Sequence, residues 1–285
     1  MPTQFLHGLP PVVVDSIRMC AWLVVLVVIF APLEKLWALH RQKFFRKAFG
    51  VDLIYYFLSG LAPRLLLVIP MTVVAAVIHR FEPAGFYSWA AALPLGLRMA
   101  AAMIVGEIGG YWGHRWSHAI PFLWRFHAIH HSAEEMDWLV NSRAHPVDMV
   151  FTRFCALVPM YVLGLAQPMS SQLDLVPIIV SIVGTAWGFF IHSNVRWRLG
   201  PLEWIISTPG FHHWHHTNDG PEVTNKNFAS MLPWVDWCFG TFHLPGREWP
   251  GKYGTDTEVP EDFVGQILSP LSSGPDEEPS PVSSN

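Results

Sequence analysis

The sequence predicts an all-α fold: a polytopic membrane helical bundle of about four or five membrane segments with a histidine-rich helical cap on the cytoplasmic side. Three observations support this prediction. Of 285 residues, 51% are hydrophobic and only 14% are charged, whereas a soluble domain carries about 25% charged residues. The apolar residues are gathered into long, nearly uncharged runs, and the chain contains 15 histidines, most of them clustered.

The first apolar run, Met19–Leu33, carries no charge. With the residues from Ile17 to Leu36 it reaches the roughly 20 residues that a helix needs to cross a bilayer. It lacks the basic leader region and the small-x-small cleavage site of a signal peptide. We therefore interpret this run as a membrane anchor.

Four more apolar runs follow, and each is predicted to be a membrane segment. Leu53–Ile78 contains Pro63, Arg64 and Pro70, so it is either one kinked helix or two half-spans, because proline removes a helical hydrogen bond. The other three runs are Trp89–Trp112, Met149–Leu165 and Leu173–Ile191. The last two are short and are joined by a brief polar turn, which predicts an apolar hairpin that need not cross completely.

The basic residues indicate which side of the membrane each loop occupies. The loop HRQKFFRK after the first span carries Arg41, Lys43, Arg46 and Lys47, whereas the loop after the second span carries one arginine. Because basic loops favour the cytoplasmic side, we expect the histidine-rich segments, residues 113–144 and the chain from His192 onward, to lie at the cytoplasmic surface.

We expect three regions along the chain. Residues 1–50 form an anchor and a basic loop, residues 51–245 a membrane-embedded domain, and residues 246–285 a tail. The stretch from about Leu268 is rich in Ser, Pro and acidic residues and is predicted to be disordered. The net charge of −4 gives no reason to expect a nucleic-acid partner, and three scattered cysteines do not form a disulfide framework.

Histidines are concentrated in three short motifs, GHRWSH, HAIHH and FHHWHH. The first motif has His-x3-His spacing, which places both imidazoles on one face of a helix. The second and third motifs share the spacing His-x2-His-His. The histidines concerned are His114 and His118, then His127, His130 and His131, then His212, His213, His215 and His216.

So dense a cluster points to metal binding. Nine protonated imidazoles held together would repel one another, and neutral imidazoles bound to a cation avoid that cost. Eight or more convergent histidines exceed the three or four ligands of one zinc site, which indicates two metals. Imidazole ligands suit iron, copper or zinc, and the spacing does not choose among them. A bis-histidine haem needs only two axial ligands, so it would leave the dense clusters unexplained.

Two histidines outside the motifs are further ligand candidates: His192, at the end of the fifth apolar run, and His145, in the sequence NSRAHPVD. Whether His145 and His213 bind metal stays open at this stage. Some polar residues near the clusters are candidates to orient the imidazole N–H groups. They are Asp148, Asn194, Asn218 and Asp219.

The motifs HRWSH (His114–His118), HAIHH (His127–His131) and HHWHH (His212–His216) resemble those of the fatty acid hydroxylase/sterol desaturase superfamily of integral membrane oxygenases. The stretch NKNFASMLPWVDWCFGTFHLP (Asn225–Pro245) is similar to the segment that follows the third motif in that family. The resemblance covers roughly residues 52–245. Three such motifs in this order, with membrane segments between them, are a specific signal.

The resemblance implies two iron ions held on the cytosolic face. It also implies O2-dependent hydroxylation or desaturation of a lipid, with electrons from a separate reductase, ferredoxin or cytochrome. Gly188 stands where some members have a further histidine, so His145 is a candidate to replace that ligand. The residues matching ligand positions are His114, His118, His127, His130, His131, His212, His215 and His216, together with His192.

Two other function classes are alternatives to an oxygenase. A histidine-rich metal transporter would need ionisable ligands distributed through its spans, and these spans contain few. A membrane zinc hydrolase would need a carboxylate base beside the metal, for which only Glu134, Glu135 and Asp137 lie near the motifs. Among oxygenase reactions, hydroxylation is favoured over desaturation, because desaturation requires tighter control of the intermediate.

Overall fold

The computed structural model describes residues 8–81, 85–166 and 174–272. Helices dominate this part of the chain, and its only β-type pairings are two isolated bridges, Ala38 with Val195 and Thr217 with Tyr253. Two 3-10 turns cover Trp138–Ser142 and Gly200–Trp204. The α-helices are α1 (Pro11–Leu36), α2 (Phe49–Leu66), α3 (Val68–Phe81), α4 (Phe86–Ala92), α5 (Leu95–Ala119), α6 (Pro121–His131), α7 (Pro146–Val162), α8 (Leu175–His192), α9 (Pro209–His212), α10 (Trp234–Cys238) and α11 (Phe263–Ser272).

By length and composition, three stretches of the described chain can cross a membrane: α1, the joined helices α2 and α3, and α8. A fourth is possible if the bent pair α4 and α5 counts as one span. The outward side chains of α1 are apolar and exposed, Val24 by 62% and Val28 by 67%. Exposed apolar side chains of this size on a long helix are stable in lipid rather than in water. The predicted all-α membrane bundle is confirmed.

The second apolar run is one span with a break rather than two half-spans. Helix α2 ends at Leu66 and α3 begins at Val68, so a single residue, Leu67, separates them. Pro70 lacks the N–H that would bond to the carbonyl of Leu66, which weakens the helix at this point. Pro63 lies inside α2 and removes a further helical hydrogen bond from its last turns.

The third run differs from the prediction that it extends from Trp89 to Trp112. Trp89 belongs to α4, which is turned by 114° from α5. Pro94 caps the new helix with an extended backbone and stops α4 from continuing into it. Helix α5 then runs past Trp112 to Ala119, so it carries the first histidine motif on its last turns.

Helix α7 is the fourth predicted segment, and at 17 residues it is shorter than a full crossing requires. It packs against α5 where small residues permit close approach of the two backbones. A Cβ atom on Gly109 would lie 2.3 Å from the carbonyl oxygen of Cys155, and one on Gly113 would lie 2.8 Å from the Cys155 Cβ. This contact packs the middle of α7 against α5 just before the first histidine motif.

Two charged residues of α5 have partners that the sequence did not reveal. Glu107 accepts hydrogen bonds from the backbone N–H groups of Met231 (2.6 Å) and Leu232 (3.1 Å). Arg98 donates to the carboxylate of Asp174 and to the carbonyl of Leu165. Charged groups within a membrane bundle require such partners, and Glu107 ties the loop after the third histidine motif to α5.

A buried network of four charged side chains joins the loop after α1 to the histidine-bearing half of the chain. Arg46 contacts Asp52 at 2.5 Å and Asp137 at 2.7 Å, and Arg143 contacts Asp52 at 2.5 Å. All four side chains are less than 8% exposed. The basic loop and the second histidine motif therefore lie on the same side of the bundle.

The C-terminal region packs onto the domain. In α11 the ring of Phe263 lies 5.1 Å from that of Tyr55, and Gln266 is buried. The prediction that disorder begins near Leu268 is therefore wrong for the stretch 268–272, which is the end of α11. Its apolar contacts outweigh the Ser- and Pro-rich composition on which the prediction relied. The rest of the predicted tail, residues 273–285, lies outside the described residues.

We predict that Asp52→Asn strongly destabilises the protein, because Asp52 is the shared partner of two buried guanidinium groups. Removing one partner of a buried ion pair costs about 3–5 kcal/mol. The measurement is the unfolding midpoint of the purified protein in detergent. The control is Lys47→Ala, which removes an exposed ion pair with Glu261 and leaves the midpoint unchanged. Equal midpoints for the two variants would contradict this role of the network.

Candidate metal centre

Nine of the ten predicted ligand histidines come together at one end of the helical bundle, in two adjacent groups. Within each group the candidate ligand nitrogens all lie within 4.8 Å of one another. The five-histidine group consists of His114, His118, His127, His131 and His215. The four-histidine group consists of His130, His192, His212 and His216.

Each His-x2-His-His motif is divided between the two groups in the same way. His127 and His131, four residues apart on α6, lie in the five-histidine group, whereas His130 lies in the four-histidine group. In the third motif, His212 and His216 belong to the four-histidine group, whereas His215 belongs to the five-histidine group. Residues four apart share a helical face, so each motif supplies both groups.

The imidazoles are placed by helix ends. His114 and His118 lie on the last turns of α5, and the second motif ends α6. His192 is the last residue of α8. The third motif begins with the short helix α9, whose first turn is capped by the Thr208 side chain accepting from the N–H of Phe211.

The distances between imidazole nitrogens match those around a metal ion. Nε2 of His114 lies 3.1 Å from Nε2 of His127. Nε2 of His192 lies 3.1–3.3 Å from the Nε2 atoms of three other members of its group, His130, His212 and His216. A metal ion binds imidazole nitrogen at about 2.0–2.1 Å, so neighbouring ligand nitrogens lie about 3.0–3.4 Å apart. The two groups therefore have the ligand spacing of two metal sites.

Several of these nitrogens have no other partner. Nε2 of His118, His131 and His215 is buried and makes no hydrogen bond within the described part of the chain. Burial also lowers the pKa of His131 and His215 well below the usual value, so both rings are neutral and carry a lone pair. A buried polar atom without a partner is costly, and a bound cation would satisfy three such atoms at once.

The opposite ring nitrogens, Nδ1, are mostly engaged by the surrounding protein. Nδ1 of His127 contacts the carboxylate of Asp148 at 3.1 Å. Backbone carbonyls accept from four of the other eight, which leaves Nε2 free as the ligand atom. The carbonyls are those of Phe228 for His114, Arg143 for His130, Gly188 for His192 and Lys226 for His215.

Of the four polar residues expected to orient the imidazoles, only Asp148 contacts one of the grouped histidines. Asn194 instead bonds the backbone of His40, Asn218 bonds Asp256, and Asp219 bonds the N–H of Gly251. Sequence reasoning missed Asn225, whose amide oxygen lies 3.0 Å from Nδ1 of His118. It also missed the carbonyl partners. Every residue has a backbone carbonyl, so no residue type marks the ones that bond an imidazole.

The structure does not bring His145 or His213 into either group. Nδ1 of His145 accepts from the N–H of Val147 and caps α7, and its Nε2 donates to the carbonyl of Ile267. His213 accepts from the hydroxyl of Tyr253 and donates to the carbonyl of Ser193. Both ring nitrogens of His145 and of His213 thus make hydrogen bonds within the protein.

A polar cavity reaches the five-histidine group from outside the bundle. Three of the group's histidines, His118, His131 and His215, line this cavity. The other lining residues are mainly threonines and asparagines, and they include residues 254–257. The C-terminal region, which the sequence predicted to be a tail, therefore forms part of the site's surroundings.

The chain resembles proteins of known activity along much of its length. The profile described as fatty acid hydroxylase matches residues 99–241. These residues include all three histidine motifs and His192. A membrane bundle with a histidine cage of this kind defines the class of membrane-bound lipid oxidoreductases. The chain belongs to the fatty acid hydroxylase family.

Individual relatives agree with this assignment. Ornithine lipid hydroxylase OlsE of Rhizobium tropici is 31% identical over 245 residues, which is 85% of this chain and 70% of that protein. Alkylglycerol monooxygenase of Homo sapiens is 30% identical, with 52% of this chain and 31% of that protein aligned. Delta(7)-sterol-C5(6)-desaturase of Nicotiana tabacum is 28% identical, over 52% of this chain and 51% of that protein. No solved structure matches.

We predict that His215→Ala lowers the metal content of the purified protein, because the five-histidine group loses a nitrogen that has no other partner. His145→Asn is the matched control. Asparagine also caps helices well, so this variant retains the cap on α7 and the wild-type metal content. The measurement is metal per chain by inductively coupled plasma mass spectrometry. Equal metal loss in both variants would argue against the division of the histidines described above.

Proposed function

We propose that this protein is a membrane-bound di-iron oxygenase that uses O2 and external electrons to hydroxylate an aliphatic C–H bond of a lipid. The observation that carries the proposal is the pair of adjacent all-imidazole groups, with nine ligand histidines between them. We assign one iron ion to each group. His145 stays a candidate ligand only by sequence, because both of its ring nitrogens contact backbone groups.

Iron is preferred on chemical grounds. An all-imidazole site suits iron, copper or zinc, but zinc has no redox chemistry, and relatives of this chain are named hydroxylases, monooxygenases and desaturases. The alternative of a zinc hydrolase has no support, because Asp137 is occupied by Arg46 in the buried network. The transporter alternative has no supporting observation either.

A bound pair of reduced iron ions would supply the electrons that activate O2, so that it can oxidise an unactivated C–H bond, which no side chain can attack. The protein's own groups prepare that site. Carbonyls and the Asp148 carboxylate hold the N–H side of the rings, so that the lone pairs face inward. Burial keeps these imidazoles neutral and excludes water from most of the cage.

The position of the site and the relatives support a lipid substrate class. Three of the histidines, His114, His118 and His192, lie at the ends of the apolar helices α5 and α8, and we propose that an acyl or alkyl chain approaches them there from the bilayer. A relative that aligns with 85% of this chain is named an ornithine lipid hydroxylase. We therefore favour hydroxylation of an acyl chain of a polar membrane lipid, with desaturation as the second possible outcome.

We place the iron site on the cytoplasmic face and assign electron supply to a separate reductase, ferredoxin or cytochrome. The basic loop after α1 supports this orientation, because it lies on the same side as the histidines and basic loops favour the cytoplasm. In the same proposal residues 1–50 anchor the chain and residues 51–245 form the oxygenase domain. Residues 246–272 pack against that domain, since Tyr253 bonds His213 and Trp124 bonds Thr257.

The test is comparative lipid mass spectrometry of cells with the protein, without it, and with His130→Ala, grown under 16O2 or 18O2. We expect one lipid class to gain a hydroxyl oxygen that carries the 18O label, only with the intact protein, because the oxygen comes from O2. Loss of two hydrogens without label would indicate desaturation. Identical lipid profiles in all three strains, or label derived from water, would contradict the proposal.

A further inference from the structure

One short segment of the chain contacts three members of the five-histidine group. This segment, Asn225–Phe228, is called the strap below. It reaches Nδ1 of His114, His118 and His215, three side chains that come from two different motifs. The contacts are from the Phe228 carbonyl to His114 (2.7 Å), from the Asn225 amide oxygen to His118 (3.0 Å) and from the Lys226 carbonyl to His215 (2.8 Å).

The strap has an unusual backbone. Asn225 has φ = 57° and Asn227 has φ = 58°, and they are the only residues other than glycine with positive φ in the described part of the chain. Left-handed backbone is disfavoured for L-residues, and asparagine tolerates it better than most. Two such residues, one on each side of Lys226, allow the carbonyls of Lys226 and Phe228 to face the same group. Backbone in a disfavoured conformation persists only where its surroundings enforce it.

Asn227 supplies part of that enforcement without contacting any of the grouped histidines. Its amide nitrogen donates to the carbonyls of Phe211 (2.8 Å) and His243 (2.6 Å). Its amide oxygen accepts from the N–H of His243 at 2.7 Å. The side chain is completely buried. Asn227 therefore fastens the middle of the strap to the segments before and after it.

Asp236, at the start of α10, fastens the end of the strap. Its two carboxylate oxygens accept from the N–H groups of Phe228 and Ala229, both at 2.8 Å. It also accepts from the hydroxyl of Thr241 at 2.7 Å, and that hydroxyl contacts Tyr111 on α5. The strap is thus tied back to the helix that carries His114 and His118.

The four-histidine group has no comparable support. His130 and His192 donate to carbonyls from two separate elements, those of Arg143 and Gly188. Nδ1 of His212 and of His216 is buried without a partner. The imidazoles that the strap contacts thus all belong to the five-histidine group, and its link to the other group is the bond from Asn227 to the Phe211 carbonyl, next to His212. The two groups should therefore respond unequally when the strap is loosened.

We propose that Asn227 and Asp236 are positioning residues for the metal of the five-histidine group. By fastening the strap, they keep three imidazoles in the tautomer with Nδ1 protonated and with Nε2 directed at the metal. The inference rests on the proposed function in that both groups hold metal. It goes further in assigning different support, and hence different metal retention, to the two sites.

The experiment is a chelator challenge of the iron-loaded full-length protein in detergent, followed by the rate of iron release. In Asn227→Ala we expect the iron of the five-histidine group to leave about 10- to 100-fold faster, the usual effect of losing an outer-shell contact, and the other iron to be accelerated less, because Asn227 also bonds the Phe211 carbonyl beside His212. Gln42→Ala is the control, because it also removes a side-chain amide, one that donates to the carbonyl of Met136 away from the strap. It should release both irons at the wild-type rate.

Asn225 provides a second test that does not depend on Asn227 variants folding. Asn225→Ala removes the acceptor for His118 and should also accelerate the release of one iron, whereas Asn225→Asp keeps an acceptor oxygen and should restore slow release. Wild-type release of both irons from the alanine variants, or equal acceleration of both, would overturn the role of the strap. Wild-type protein that binds fewer than two irons would instead refute the proposed function.

Discussion

The structure depends on the convergence of nine imidazole nitrogens from four separate parts of the chain. Lone pairs that face one another at 3.1–3.3 Å in a buried site repel one another and have lost their water. A cation between them converts this repulsion into attraction. The fold therefore contains an arrangement that is favourable with metal and costly without it, and the supports around the histidines exist to maintain it.

Those supports come from outside the histidine motifs. The buried Arg46–Asp52–Arg143 network fixes the loop after α1, and the carbonyl of Arg143 in turn accepts from His130. The strap supports the five-histidine group in a similar way. Glu107 bonds the chain that follows the strap to α5. Each group is thus held by a different part of the bundle, which would allow two bound metals to differ in affinity and in access to the polar cavity.

The sequence predicted most of the grouped histidines, but it predicted little of the surrounding structure that holds their side chains in place. Spacing of four residues places His127 and His131 on one face, and helical periodicity alone requires this. His130 belongs to the four-histidine group because of the way α6 packs in the bundle. The spacing of the histidines along the sequence does not specify this packing. The carbonyl of Lys226 left no sequence signal, whereas Asn225 and Asn227 left a weak one, because asparagine tolerates left-handed backbone. The bend at Pro94 and the packing of α11 were missed, because composition does not report tertiary contacts.

The most direct test of the central claim is the position of the metal in the purified protein, from an anomalous difference map recorded at the iron absorption edge. We expect two peaks, one enclosed by the five-histidine group and one by the four-histidine group, each adjacent to Nε2 atoms. A single peak, or iron bound away from these histidines, would contradict it.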